Sequence, residues 1–79
     1  MSNDELIRLR DEADMIVSGY AFSRTAEGNI RVLDLNEPHH ALMMSPKSEV
    51  YETTMDDIEL SIVMGFWERN GKYMEVAYA

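Results

Sequence analysis

Two adjacent histidines, His39 and His40, each stand four residues before one of two adjacent methionines, Met43 and Met44, in the stretch NEPHHALMMSP. Imidazole nitrogen and thioether sulfur are both ligands that copper accepts. Asp34 and Glu37 lie just upstream, and imidazole with carboxylate oxygen suits zinc. The spacing discriminates between these chemistries. On a strand, His40, Leu42 and Met44 share one face, which puts His40 and Met44 about 13 Å apart along the chain. Ligands to a single ion lie within about 2 to 2.5 Å of it. The histidine and methionine therefore cannot chelate together from a regular strand, and the methionines read as adaptable apolar filler. Asp34, Glu37, His39 and His40 remain as metal-ligand candidates if the segment before the strand folds back on itself. Their spacing matches no established motif, so the expectation is that the protein holds no metal and no cofactor.

Other reactive groups are explained by local structure. The chain has no cysteine, which removes thiol nucleophiles, thiolate metal sites and disulfides. Its serines fall where caps and turns use serine, and none lies in a G-x-S-x-G elbow. The four glycines are isolated, so no phosphate loop or dinucleotide fingerprint is present. The pair Asp56-Asp57 reads as helix capping. The expected protein is not an enzyme.

These residues are positioned by elements that the hydrophobic period predicts. Ser2 with Glu5 has the form of a capping box. Leu6, Leu9, Ala13, Ile16, Val17 and Tyr20 follow at helical spacing, giving an amphipathic helix over 3–18 that Ser18-Gly19 would stop. Tyr20 to Thr25 then alternates, Ala26-Glu27-Gly28-Asn29 is turn chemistry, and 29–35 is a β-rich run. Pro38 breaks that run. His40 to Met44 is a third strand, Ser45-Pro46-Lys47-Ser48 a type I turn, and Glu49 to Thr53 a fourth strand. A second helix starts at Thr53-Thr54 and ends at Asn70-Gly71, with Met55, Ile58, Ile62 and Phe66 as its main apolar stripe. Gly65 within it suggests close approach of another backbone. Residues 73–79 leave strand, helix and irregular tail open, with a short C-terminal strand as one option. The expected architecture is a single two-layer α+β domain over 1–79: a four-stranded antiparallel meander between an N-terminal and a C-terminal helix.

The charge bounds the partners. Seven bases against fifteen acids give −8 on 79 residues, and the bases are scattered. Nucleic-acid affinity rests on neutralising phosphates, so neither nucleic acid nor an anionic membrane is an expected partner. The N-terminus lacks a basic start followed by an apolar block, and no apolar run approaches a membrane span. A cytoplasmic protein is expected.

The middle strands carry apolar residues on both faces, whereas an antiparallel sheet with one wet face alternates apolar and polar. Leu33, Leu35, Met43 and Tyr51 then form a candidate sheet-face patch, with Trp67 as a further interface anchor. The functional expectation is a protein-interaction module that self-associates as a homodimer or binds a protein partner through that face. Two alternatives stand beside it. One is an acidic inhibitor occupying a basic, nucleic-acid-binding site on another protein; the other is a metal-dependent activity around Asp34 to His40.

Overall fold

The computed structural model describes Asp4 and residues 13–78. The described residues form a mixed α+β fold: a five-stranded antiparallel sheet followed by a C-terminal helix. The strands are β1 (Met15–Val17), β2 (Tyr20–Arg24), β3 (Ile30–Asp34), β4 (Ala41–Met44) and β5 (Val50–Thr53), and the helix, α1, is Asp57–Tyr78. Spatial order equals chain order, β1-β2-β3-β4-β5. Four of these strands match the sequence expectation closely; β1 was not expected.

β1 occupies what the helical period assigned to the end of an N-terminal helix. Residues 3 and 5–12 of that predicted helix lie outside the described residues. Ser18-Gly19 does not stop a helix. Both residues take positive φ, 50° and 84°, and Val17 pairs with Tyr20 across them. That is the two-residue hairpin turn whose twist matches flanking strands. Ile16 and Val17 satisfy a helical spacing and a strand alternation equally over so short a stretch, and the turn decides for the strand.

The later turns follow their residues. Gly28 takes φ 85° in the expected turn, and Thr25 closes that loop by accepting the Asn29 N–H on its hydroxyl. In the next turn but one, Ser48 N–H donates to the Ser45 carbonyl at 3.0 Å. The Ser45 hydroxyl accepts from the N–H groups of Lys47 and Glu49.

The helix differs from expectation at both ends. Asp56, not a threonine, is its cap: its carboxylate accepts the Glu59 N–H at 2.7 Å and its carbonyl accepts the Leu60 N–H. Thr53 and Thr54 are spent on Met55 and on the backbone around Ala41. Asn70-Gly71 does not end the helix, which runs to Tyr78, so 73–78 is neither strand nor irregular.

The extra length changes which stripe is buried. Val63, Trp67 and Met74 pack against Phe22, Ile30, Val32, Leu42 and Met44 on one face of the sheet. At 3.6 residues per turn, Ile58 lies about 180° and Ile62 about 140° around the helix from Trp67. They are 75% and 49% exposed, contrary to the expected Met55-Ile58-Ile62-Phe66 stripe. The sequence offers two overlapping stripes, and the one that recruits Trp67 and Met74 wins on apolar area.

Gly71 is part of that solution. A Cβ there would stand 3.0 Å from the Trp67 ring, so the indole uses the space a side chain would fill. At Gly65 the nearest group is the Arg69 guanidinium rather than another backbone.

The buried stripe gives a direct test. Trp67→Ala should lower the unfolding free energy by about 3–5 kcal/mol, as for other large-to-small core changes. Ile58→Ala should stay within about 0.5 kcal/mol of the parent. Urea denaturation measures both; equal losses would mean that the helix is rolled differently.

Candidate functional site

Polar side chains gather where the β2–β3 end of the sheet meets the start of α1. Tyr20 comes from β2, and Asp34, paired with it in register, ends β3. Asp34 is buried, although it is an acid. One of its oxygens, Oδ1, accepts the backbone N–H groups of Asn36 and Glu37 at 2.9 and 3.2 Å, the Asx-type turn that aspartate makes with its own chain. The chain then folds back at Pro38, with His40 N–H donating to the Glu37 carbonyl at 2.8 Å and Asp34 N–H to the His40 carbonyl at 3.0 Å. This return places His40 over the end of the sheet.

The helix supplies the other side. Glu59 sits in its first turn, where the dipole favours an anion. Its Oε2 accepts the Tyr20 hydroxyl proton at 2.8 Å, and its Oε1 lies 3.0 Å from His40 Nδ1. Glu37 Oε2 reaches the same nitrogen at 3.2 Å. His40 Nδ1 is buried, yet it makes no hydrogen bond: both oxygens are near enough, but neither lies along its N–H axis.

Asp34, Glu37, Asp56 and Glu59 thus line one pocket with Tyr20, Asn36 and His40, and Ile58 and Ile62 form its outer rim. Among the described residues, no lysine or arginine lines it. Tyr20 answers to these surroundings: its pKa rises from 10.0 to about 12. Burial is the largest cause; the hydrogen bond to Glu59 and the charges of Glu59, Asp34 and Glu37 add to it. The phenol stays protonated and serves as a donor.

The four candidate metal ligands of the sequence are placed here unequally. Asp34, Glu37 and His40 converge on the pocket. His39 is exposed and packs edge-on against His40, ring centroids 4.3 Å apart. Tyr20 and Glu59 were missed, since each is remote in sequence from the loop and had a structural role of its own type. The methionines stand apart: Met44 is fully buried in the core and Met43, paired with Arg31, is on the opposite face.

The candidate interface residues do not form one patch. Leu33 is buried and Leu35 half-buried in the bend after β3. Met43 is half-buried beside Arg31 and Glu52 in a shallow groove of about 180 Å³. Tyr51 is exposed on the outer strand, at a register shift that leaves it without a partner across from β4. Trp67 is core: it stacks on Phe22 at 6.1 Å and donates its indole N–H to the Pro46 carbonyl at 2.9 Å. No helix among the described residues is long and apolar enough to cross a membrane.

Fold and pocket together define a small α+β protein with an acidic, histidine-centred corner between sheet and helix. The chain belongs to a family of unknown function, DUF7723, whose profile matches residues 3–74. No curated protein and no solved structure matches it.

The raised Tyr20 pKa has a measurable consequence. Between pH 10.0 and about 12 the folded state holds a proton that the unfolded state has released, so stability is full below that window and falls as pH rises through it. In an ultraviolet titration one of the four tyrosines should ionise late, and Tyr20→Phe should remove that late step. A parent that shows no late step, with the variant losing only an early-ionising tyrosine, would contradict the Tyr20–Glu59 contact.

Proposed function

We propose that this protein is a binding module that engages a basic, amphipathic segment of another protein. The carrying observation is the exposure of Ile58 and Ile62, one turn apart on α1, at the rim of a pocket lined by four carboxylates and, among the described residues, by no lysine or arginine. Isolated exposed apolar residues mean little, but here two β-branched side chains adjoin each other beside half-buried Phe66. Asp56 and Asp57 flank them at the helix start. A partner presenting an apolar side chain next to lysine or arginine would match both features, burying the isoleucines and answering the charge. A second copy of this chain, itself at −8, would set acid against acid on this surface. The chemistry is that of an acidic ligand for a basic surface, without any requirement for catalysis.

The test uses a labelled amphipathic lysine–leucine peptide and fluorescence anisotropy. Burying one isoleucine is worth about 1.5–3 kcal/mol, so Ile58→Ser and Ile62→Ser should each weaken binding about tenfold or more, leaving the fold intact. Ile16→Ser, an exposed apolar control on the sheet, should have no effect. Added salt should weaken the complex. Equal binding by both helix variants, or indifference to salt, would overturn the proposal.

A specific observation favours a second reading, self-association through the sheet. Arg31, Met43 and Glu52 stand in one row across β3, β4 and β5, on the face away from α1. A two-fold axis along β4 would set Arg31 of each copy against Glu52 of the other, over a central methionine pair, which is the self-complementarity an isologous contact needs. Light scattering should then give twice 9.1 kDa, and Met43→Glu should return the monomer. A monomeric parent would dismiss this reading while leaving the helix surface untouched.

A further inference from the structure

The inner corner of the acidic pocket holds a constellation that partner binding at its rim leaves unexplained. We infer that Asp34, His40 and Glu59, with Glu37 closing from the loop, form a binding site for one divalent first-row transition ion of the zinc type.

Geometry carries this inference. One ligand atom from each of Asp34, His40 and Glu59 lies within 4.8 Å of the others, on side chains from β3, the loop before β4 and α1. The separations from His40 Nδ1 to Glu59 Oε1 and Glu37 Oε2 are 3.0 and 3.2 Å. Two ligands each bound at about 2.1 Å stand about 3.0 Å apart in octahedral and about 3.4 Å apart in tetrahedral coordination. The two separations at His40 fall within that range.

Hydrogen bonding does not account for them. His40 Nδ1 is buried, and neither carboxylate lies along its N–H direction. The nitrogen is left without a hydrogen-bond partner, and its lone pair is open to an ion. A simple histidine–glutamate bond would align N–H and oxygen.

The surroundings hold the donors in place. The Tyr20 hydroxyl donates to Oε2 of Glu59, which leaves Oε1 turned toward His40. Asp34 commits Oδ1 to two backbone N–H groups, which orients the carboxylate and leaves Oδ2 to bind. Such outer contacts are what distinguish a built site from a chance cluster. One imidazole with carboxylate oxygens and no sulfur selects a borderline cation over copper(I), and the imidazole discriminates against magnesium and calcium. An ion in this corner leaves Ile58 and Ile62 exposed but offsets part of the charge that the proposed partner would answer, so the site is tested with the ion alone and no partner present.

Calorimetry of the full chain with zinc chloride, after removal of metal with a chelator, tests the site. Binding should saturate at one ion per chain. His40→Gln and Glu59→Gln should each abolish that saturable step, and Tyr20→Phe, which loosens a positioning contact, should weaken it about tenfold. Glu68→Gln, on the exposed helix surface, should leave it unchanged. Independently of any variant, NMR of the unmodified chain should show the His40 imidazole signals shifting to completion at one equivalent of zinc. No saturable heat, unchanged affinity in both ligand variants, or an unmoved His40 would overturn the assignment. So would magnesium binding as tightly as zinc and indifferent to His40→Gln, since acids alone would then hold the ion.

Discussion

The indole of Trp67 fixes where the helix lies, and much else follows from that placement. Its ring stacks on Phe22 from β2, with the planes 14° apart, and its N–H is tied to the turn between β4 and β5 at Pro46. A flat, rigid group held at both its face and its edge leaves the helix little freedom to roll. Gly71 adds to this by leaving the neighbouring turn of the helix bare above the ring. Tyr20 and Phe66, with ring centroids 5.9 Å apart, make a second aromatic contact. With the helix middle fixed in this way, its first turn falls over the end of the sheet, bringing Glu59 to Tyr20 and His40. The same roll turns Ile58 and Ile62 outward. Hydrophobic packing thus sets both the polar corner and the apolar rim beside it.

Within the corner, the buried carboxylate of Asp34 has the organising role. A buried acid is costly unless its oxygens are partnered, and here the partners are backbone N–H groups two and three residues ahead. Satisfying them curls the segment 35–40 into a compact return. Side chains that would otherwise splay along a loop are thereby gathered on one side of the sheet. Concentrating carboxylates around an imidazole and a phenol, with no lysine or arginine among the described lining residues, creates a strong local field. The helix N-terminus offsets part of that repulsion, which explains how such a cluster is tolerated so near the core.

Most of the meander was legible in the sequence because strand alternation and turn chemistry agree there. Gly28 and the Ser45-Pro46 turn sit where their residue types require, and β2 to β5 fall within a residue or two of the expected runs. The misread elements are those where two periods fit the same residues. Met15 to Val17 satisfies a helix stripe and a strand together, and only the paired positive φ at Ser18 and Gly19 resolves it. On α1, the Ile58-Ile62-Phe66 stripe and the Leu60-Val63-Trp67-Met74 stripe compete, and the choice depends on what the sheet presents. The corner was half legible: Asp34, Glu37 and His40 are close in sequence, so a folded loop could be imagined. Tyr20 and Glu59 come from elements whose meeting is a tertiary fact, and no local spacing announces them.

The hairpin-by-hairpin order of the sheet has a kinetic corollary. Every strand pairs with its immediate predecessor in the chain, so no long loop has to close before a pairing is rewarded. Local contacts speed folding relative to non-local pairing, on the order of milliseconds for small mixed α/β chains. The outermost ribbon, β5, also carries a register irregularity at Tyr51, a feature that twists an open edge away from indiscriminate pairing with other chains. A protein assembled this way spends little time half-made, and its exposed border is poorly shaped to propagate an aggregate.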